Sequence, residues 1–377
     1  MPDYVVAGAS SIEDIPQFVA VARQAGIAVR LLENAAMSEH IPTQQRALVT
    51  CSEDIPHTRA PVIPLNEFWV SRATRAGVAN IAPHALRASR SKYYLSARLA
   101  ACGLHTLPRH YLEDVAAPYP DRYLARLDAA YSGYGIVRHV EAGRFDPIAI
   151  ARVVQADASR IMRAVLDEDA SRMVVEDYLD GEEYSADVFV HQGRTVVLRL
   201  FRKIVAWIGG RPVCDSYIAV PHDPVLCAAI HDWCAALYSA GCTSFGQFDF
   251  IVVDGRAVAV DFSCRIGDGL GAIKRFAGID SYAALALAGG TPSFAPFTVQ
   301  KNVLARRPGR LANFACWLPH AYQVTVHKQA GDLLPENICS ANARIAEICF
   351  AARDLDDATA MAQALDNKVS IDVHDEY

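Results

Sequence analysis

The chain has 377 residues, 52% of them hydrophobic, and a formal net charge of −6 from 36 Lys and Arg against 42 Asp and Glu. Such a length allows two or three compact domains, and the near balance of charge, without a basic stripe interleaved with aromatics, argues against a nucleic-acid partner. No apolar run is long enough to span a bilayer as a helix, whereas a small anionic substrate stays compatible because a local positive pocket need not show in the total.

Met1-Pro2-Asp3-Tyr4 lacks the basic and apolar stretches of a signal peptide, so a cytoplasmic protein is expected. Tyr4 to Gly8 is a β-branched run ending in glycine, and Ser11 with Asp14 resembles a capping box before an amphipathic stretch to about Gln24. Ala28 to Leu32 is the next apolar run. Strand, helix and strand at this spacing predict an open α/β unit over 1–90, closed by a helix from Glu67 to Ala76 that stops at Gly77. The glycine loop after Tyr4–Gly8 reads more readily as a plain strand-to-helix turn than as a nucleotide site.

A second portion, 91–165, carries a helix from Lys92 to Cys102, a strand at Tyr123–Leu127, the loop Ser132-Gly133-Tyr134-Gly135 and a helical zone from Pro147 to about Leu166. The third, 166–300, holds strands at Val174–Glu176 and Ser185–Val190 around the turn dipeptide Asp180-Gly181. It continues with an extended run from Thr195 to Ile208, a helix from Pro224 to Tyr238, and strands at Phe245–Val253 and Ala257–Ser263. Residues 301–377 read as a small α/β piece. The ten cysteines are scattered, with no Cys-x-x-Cys, and suit small buried hydrophobes in a reducing compartment rather than a zinc site.

The stretch from Gly246 to Arg265 is the most informative. Asp254-Gly255 is a hairpin turn signal, and side chains alternate faces along a strand. Even positions (Phe248, Phe250, Val252, Val258, Val260, Phe262) are large and apolar; odd positions include Gln247, Asp249, Asp261 and Ser263. A three-residue or bulged connection around Asp254-Gly255 would bring the even residues together as core and the odd ones together opposite it. Facing carboxylates repel, and a divalent cation between them removes the penalty. Asp249, Asp261 and the Ser263 oxygen form an oxygen-only set suited to Mg²⁺ or Mn²⁺ bridging nucleotide phosphates, with Ala257 and Ala259 expected on the same face to leave room. A solvated sheet surface with scattered acids is the plainer alternative.

This pattern resembles the ATP-grasp superfamily, which includes biotin carboxylase, the large subunit of carbamoyl phosphate synthetase and D-alanine–D-alanine ligase. There an acidic strand residue is followed about a dozen positions later by Glu-x-Asn-Pro-Arg or a relative, and Asp261-Phe262-Ser263-Cys264-Arg265 looks like that motif. The resemblance implies an α+β ATP-grasp domain over 91–300, with Asp249, Asp261 and Ser263 as metal ligands and Arg265 as the cation near the transferring phosphoryl group or the acyl intermediate. Val174 to Ser185 is similar to the adenine hinge, which implies ATP contacts at Glu176, Tyr178 and Leu179 and ribose contacts at Glu183. It further implies Lys92 and Arg126 on the phosphates, Ser132, Gly133 and Gly135 in a flap over them, and ATP and Mg²⁺ as cofactors. Departures stand at 126, 261, 263 and 264.

The activity implied is a carboxylate–amine ligation through an acyl phosphate, with a small carboxylate and an amine as partners and a homodimer as the common family assembly. Arg199, Arg202 and Lys203 offer either a substrate cation or structural ion pairs. Rival readings are a bicarbonate-using carboxylase or carbamoyl-type synthase, and a nucleotide-binding ATP-grasp module without turnover.

Overall fold

The computed structural model describes residues 3–12, 14–39, 41–115, 122–130, 136–138, 152, 172–208, 211–267, 273, 286–290, 294–334 and 344–374. The sequence signals for the glycine loop at 132–135 and, apart from Arg152, the helical zone at 147–166 lie outside these residues.

The N-terminal unit is a four-stranded parallel sheet built from β1 (Tyr4–Ala7), β2 (Val29–Glu33), β3 (Val49–Cys51) and β4 (Val62–Pro64), in the order β3-β2-β1-β4. Helix α1 (Ile15–Gln24) crosses from β1 to β2. Its N-cap is Asp14, which accepts from Gln17 N at 2.9 Å, and not Ser11, which lies in a preceding turn of 3₁₀ helix. The short helix α2 (Ala35–Ser38) follows β2. Helix α3 (Glu67–Ala76) is capped by Asn66 and stopped by Gly77 at φ 60, a left-handed conformation that glycine adopts without strain. Two further helices, α4 (Pro83–Arg90) and α5 (Lys92–Ala101), lead out of this unit.

A second sheet, antiparallel in the order β5-β8-β6-β7, is made by β5 (Arg109–Tyr111), β6 (Tyr123–Leu127), β7 (Val137–Arg138) and β8 (Met173–Asp177). The chain then enters an eight-stranded antiparallel sheet through β9 (Glu182–His191), β10 (Arg194–Ile208) and β11 (Arg211–Ala219). After helix α6 (Pro224–Leu237) come β12 (Thr243–Val253) and β13 (Arg256–Ser263). The C-terminal segment supplies β14 (Thr298–Leu304), β15 (Gly309–Cys316), β16 (Gln323–Val326), β17 (Leu333–Leu334), β18 (Arg344–Ala351), α7 (Leu355–Ala364) and β19 (Val369–His374). Residues 301–377 are continuous with the large sheet: its order is β13-β12-β9-β10-β11-β14-β18-β16, and only β17-β15-β19 form a sheet of their own.

One face of the large sheet is dry. Phe248, Phe250 and Phe262 pack with Trp233, Ile230 and Leu237 of α6 and with Leu95 and Leu99 of α5. Three of these phenylalanines are 0–1% exposed, and burying each such side chain contributes roughly 1.5–3 kcal/mol. That core fixes which face of β12 and β13 is left for the polar residues. No helix among the described residues is long and apolar enough to cross a membrane.

Candidate functional site

The hairpin of β12 and β13 departs from the expected register in an informative way. Val253 pairs Arg256, so the connection is a tight two-residue turn in which Asp254 and Gly255 both take positive φ (49 and 73). This is the backbone that the twist of two strands favours. The irregularity lies farther down, where Asp249 pairs Asp261 but Phe250 pairs Ala259, leaving Val260 as the extra residue of a β-bulge. The bulge changes the parity of β13. Phe262 stays with Phe248 and Phe250, but on the turn side Ala257 and Ala259 pack into that same core, while Val258 and Val260 turn to the other face with Leu107, Leu179 and Ile251. The expectation that the alanines share the acidic face, and that all six even positions are core, is therefore corrected.

The bulge is tied down from the second sheet. The Val260 carbonyl accepts from Arg109 Nη2 and Arg126 Nη2, each at 2.6 Å. Both guanidiniums also meet Glu176, Arg126 at 2.9 Å to Oε1 and Arg109 at Oε2. Arg109 donates in addition to the Lys92 carbonyl (2.6 Å) and Ser96 Oγ (2.9 Å). Burial alone would raise the Glu176 carboxyl, but the two arginines outweigh it and hold it below its ordinary value.

Between the second sheet and the large one lies a cavity of about 490 Å³. Most of the residues singled out from sequence line it. Arg126 and Glu176 reach it from the second sheet, Tyr178 and Leu179 from the hinge after β8, and Glu183, Arg202 and Lys203 from β9 and β10. Asp249, Asp261, Ser263 and Arg265 complete the floor. An apolar slot of Leu107, Leu124, Ile136, Leu179, Ile251 and Val260 borders the hinge. Gly181 is pressed against the backbone beside it: a Cβ there would come within 2.3 Å of the Val252 carbonyl oxygen.

Asp249 and Asp261 are direct cross-strand partners. Lys203 Nζ lies between two carboxylates, 3.0 Å from Asp249 Oδ1 and 2.9 Å from Glu183 Oε1. Burial, with Glu183 and Asp261 nearby, raises the Asp249 carboxyl, and Lys203 offsets only part of this. Asp261 shifts the other way. Burial would raise it, but Lys92, Arg126 and Arg109 outweigh burial and lower it. Among the described residues no group of three or more His, Cys, Asp or Glu could hold a metal by itself. A pair of opposed carboxylates instead fits Mg²⁺, which keeps waters and takes one or two carboxylates together with substrate phosphates.

Two placements, those of Lys92 and Ser263, differ from expectation, while Arg199 and Arg202 take the ion-pair alternative. Lys92 does not line the cavity; its ammonium is buried, lies 3.4 Å from Asp261 Oδ2 and donates to the Asp128 (3.3 Å) and Ala130 carbonyls. Ser263 Oγ donates to Glu67 Oε1 at 2.8 Å, so its hydroxyl is directed toward the N-terminal unit rather than between the aspartates. Arg199 forms a buried two-point pair with Asp187 (2.6 and 3.0 Å) and is structural. Arg202 pairs with Glu182 at 2.7 Å on the rim. Ser132, Gly133 and Gly135 lie outside the described residues. Two residues escaped the sequence reading. Arg109 had a weak signal, an arginine at an inward strand position directly after Leu107-Pro108; Glu67 had none, being an ordinary acid in a helix's first turn.

No protein-family model matches the sequence, and no curated protein matches it. The structure, however, is similar to an L-amino acid ligase from Bacillus licheniformis, at 16% identity and TM-score 0.69, over 99% of this chain and 98% of that one. It is also similar to phosphoribosylglycinamide synthetase from Anaerococcus prevotii (12% identity, TM-score 0.58, 98% and 99% covered). A third likeness is to biotin carboxylase from Campylobacter jejuni in complex with a β,γ-ATP compound (10% identity, TM-score 0.59, 100% and 93% covered).

Proposed function

We propose that this chain, which has the ATP-grasp fold, is an ATP-dependent ligase that joins a small carboxylate to an amine through an acyl phosphate, releasing ADP and phosphate. The observation that carries the reading is the opposed pair Asp249–Asp261 on the floor of a cavity that also holds Arg126, Lys203 and Arg265. Solved structures of similar fold include an amino-acid ligase and an enzyme whose complex contains ADP, magnesium and bicarbonate, which supports ATP and Mg²⁺ as the ligands.

In this proposal the slot of Leu107, Leu179, Ile251 and Val260 takes the adenine, and the hinge backbone from Glu176 to Leu179 meets its edge. Glu183 accepts from the ribose hydroxyls. Asp249 and Asp261 hold Mg²⁺, which when bound neutralises charge on the terminal phosphates. Arg126, Lys203 and Arg265 draw the triphosphate and the acid together, and their positive field favours the charge that develops as the carboxylate oxygen bonds to the γ-phosphorus and the bond to ADP breaks. The amine nitrogen then bonds to the acyl carbon, the bond from that carbon to the phosphate oxygen breaks, and the proton lost from nitrogen leaves with the phosphate. The resemblance assigns Ser132, Gly133 and Gly135 to covering this centre.

A nucleotide-binding module without turnover is the second reading, favoured by the burial of Lys92 and the engagement of Ser263 with Glu67. A panel of acids against amines with Mg²⁺·ATP, read by ADP release and by mass spectrometry of products, separates the readings. The ligase reading expects ADP release that needs both an acid and an amine. Release driven by bicarbonate alone would favour a carboxylase, and tight nucleotide binding with no release across the panel would favour the silent module.

A further inference from the structure

The residue at the C-terminal end of the hairpin, Arg265, is held by a group from a different part of the chain. Arg265 Nε donates to Glu67 Oε1 at 2.8 Å, and Ser263 Oγ donates to the same oxygen at 2.8 Å. Glu67 is the first residue of α3, at the C-terminal edge of the parallel sheet, nearly two hundred positions earlier. It is buried to 3% exposure. The opposite side of Arg265 is held by Gln247 Oε1 (3.2 Å) and the Ile266 carbonyl (2.8 Å). The loop that carries Arg265 is pinned on both flanks as well: Cys264 N donates to Ser89 Oγ at 3.2 Å, and Gly267 N donates to Asp187 Oδ1 at 2.9 Å.

A buried carboxylate brought from the N-terminal unit to a cavity-lining arginine is costly unless paired, and it makes no use of the space it could have filled with apolar packing. Its geometry has one clear consequence. The arginine head is charge-compensated at Nε by the N-terminal unit and held at Nη1 by Gln247 of β12, so its position on the cavity floor is set jointly by the N-terminal unit and the large sheet.

We propose that Glu67 is a positioning residue that acts through Arg265, coupling the N-terminal α/β unit to the end of the cavity where an anion is transferred. This rests on the proposed function for nucleotide binding and for the identity of the anion, but not on the ligation of an acid to an amine. It requires that Glu67 act as an acceptor, that its effect pass through Arg265, and that nucleotide binding at the far end of the cavity be untouched. Misplacing a charged group by about 1 Å costs on the order of 10²-fold in rate.

The test uses the full-length protein with Glu67→Ala, Glu67→Gln, Arg265→Ala and the Glu67→Ala/Arg265→Ala double variant, each checked by circular dichroism and thermal melting. Two readouts are taken: titration of Mg²⁺·ADP with and without beryllium fluoride as a γ-phosphoryl stand-in, and kcat and KM in the ADP-release assay. Glu67→Ala is expected to weaken beryllium fluoride capture, and to lower kcat by roughly 10- to 100-fold, with affinity for Mg²⁺·ADP alone and KM for ATP within about twofold. Glu67→Gln, which retains an acceptor oxygen, should restore most of both. In the Arg265→Ala background, Glu67→Ala should add nothing. The inference is overturned if the two substitutions are additive, if Glu67→Gln is as impaired as Glu67→Ala, or if Mg²⁺·ADP binding falls in parallel. Should the wild type release no ADP with any acid, the ligase reading falls while the fluoride titration still decides the coupling; a wild type that binds no nucleotide overturns both.

Discussion

Substituting Asp261 by Asn tests the electrostatic logic of the site most directly, because this carboxylate faces attraction and repulsion together. Lys92 lies 3.4 Å away, and at an effective dielectric constant of about 20 that ion pair is worth roughly 5 kcal/mol. Asp249 is its cross-strand partner, and at the ~5 Å usual for opposed side chains the repulsion is roughly 3 kcal/mol. The carboxylates are 24% and 29% exposed, so solvent screens both terms and the difference of ~2 kcal/mol from these two contacts is discounted to about half. Asp261→Asn should therefore lose about 1 kcal/mol in metal-free buffer, read by urea denaturation. It should also lose the extra stabilisation that Mg²⁺ gives over ADP alone, since a ligand stabilises only through its affinity for the folded state.

The pH dependence has a definite sign. Asp261 is held below its ordinary value, so its contribution is present above the unfolded aspartate range and is lost as pH falls through the lower folded value. Asp249 is raised, so its contribution is present at low pH and is lost as pH rises through the higher folded value. The gap between wild type and variant should thus close on acidification below the usual aspartate range. A variant more stable than wild type without metal would refute the dominance of the cations. Full retention of the Mg²⁺ effect would refute Asp261 as a metal ligand.

Gly181→Ala should destabilise by roughly 1–3 kcal/mol and weaken nucleotide binding, because the added Cβ meets the Val252 carbonyl, a backbone atom that cannot swing aside; titration with ATP checks it. Arg109→Met should cost roughly 3 kcal/mol, since Glu176 keeps only Arg126 and the Val260 carbonyl loses one of its two donors. Urea denaturation measures that cost, and a loss under 1 kcal/mol would show that the buried network is dispensable.

Much of this molecule was legible in the chain itself, for a reason that is local. The boundaries of the Glu67–Ala76 helix follow from Asn66 and Gly77, and the strands of the hairpin follow from period-two alternation around Asp254-Gly255, because caps, turns and alternation depend on neighbours within a few residues. The facing of Asp249 and Asp261 was legible too, since a dry aromatic face forces the acids to the other side.

What the chain alone left open was decided by contacts between residues far apart in sequence. The bulge at Val260, which sends Ala257 and Ala259 into the core, is tied down by the Arg109 and Arg126 guanidiniums that donate to its carbonyl. The withdrawal of Lys92 from the cavity depends on the carbonyls at the end of β6, and the aim of Arg265 on Glu67. Charged side chains have long reach and many acceptors within it, so their partners are chosen by packing. Strand and helix periodicity carries no information about that choice.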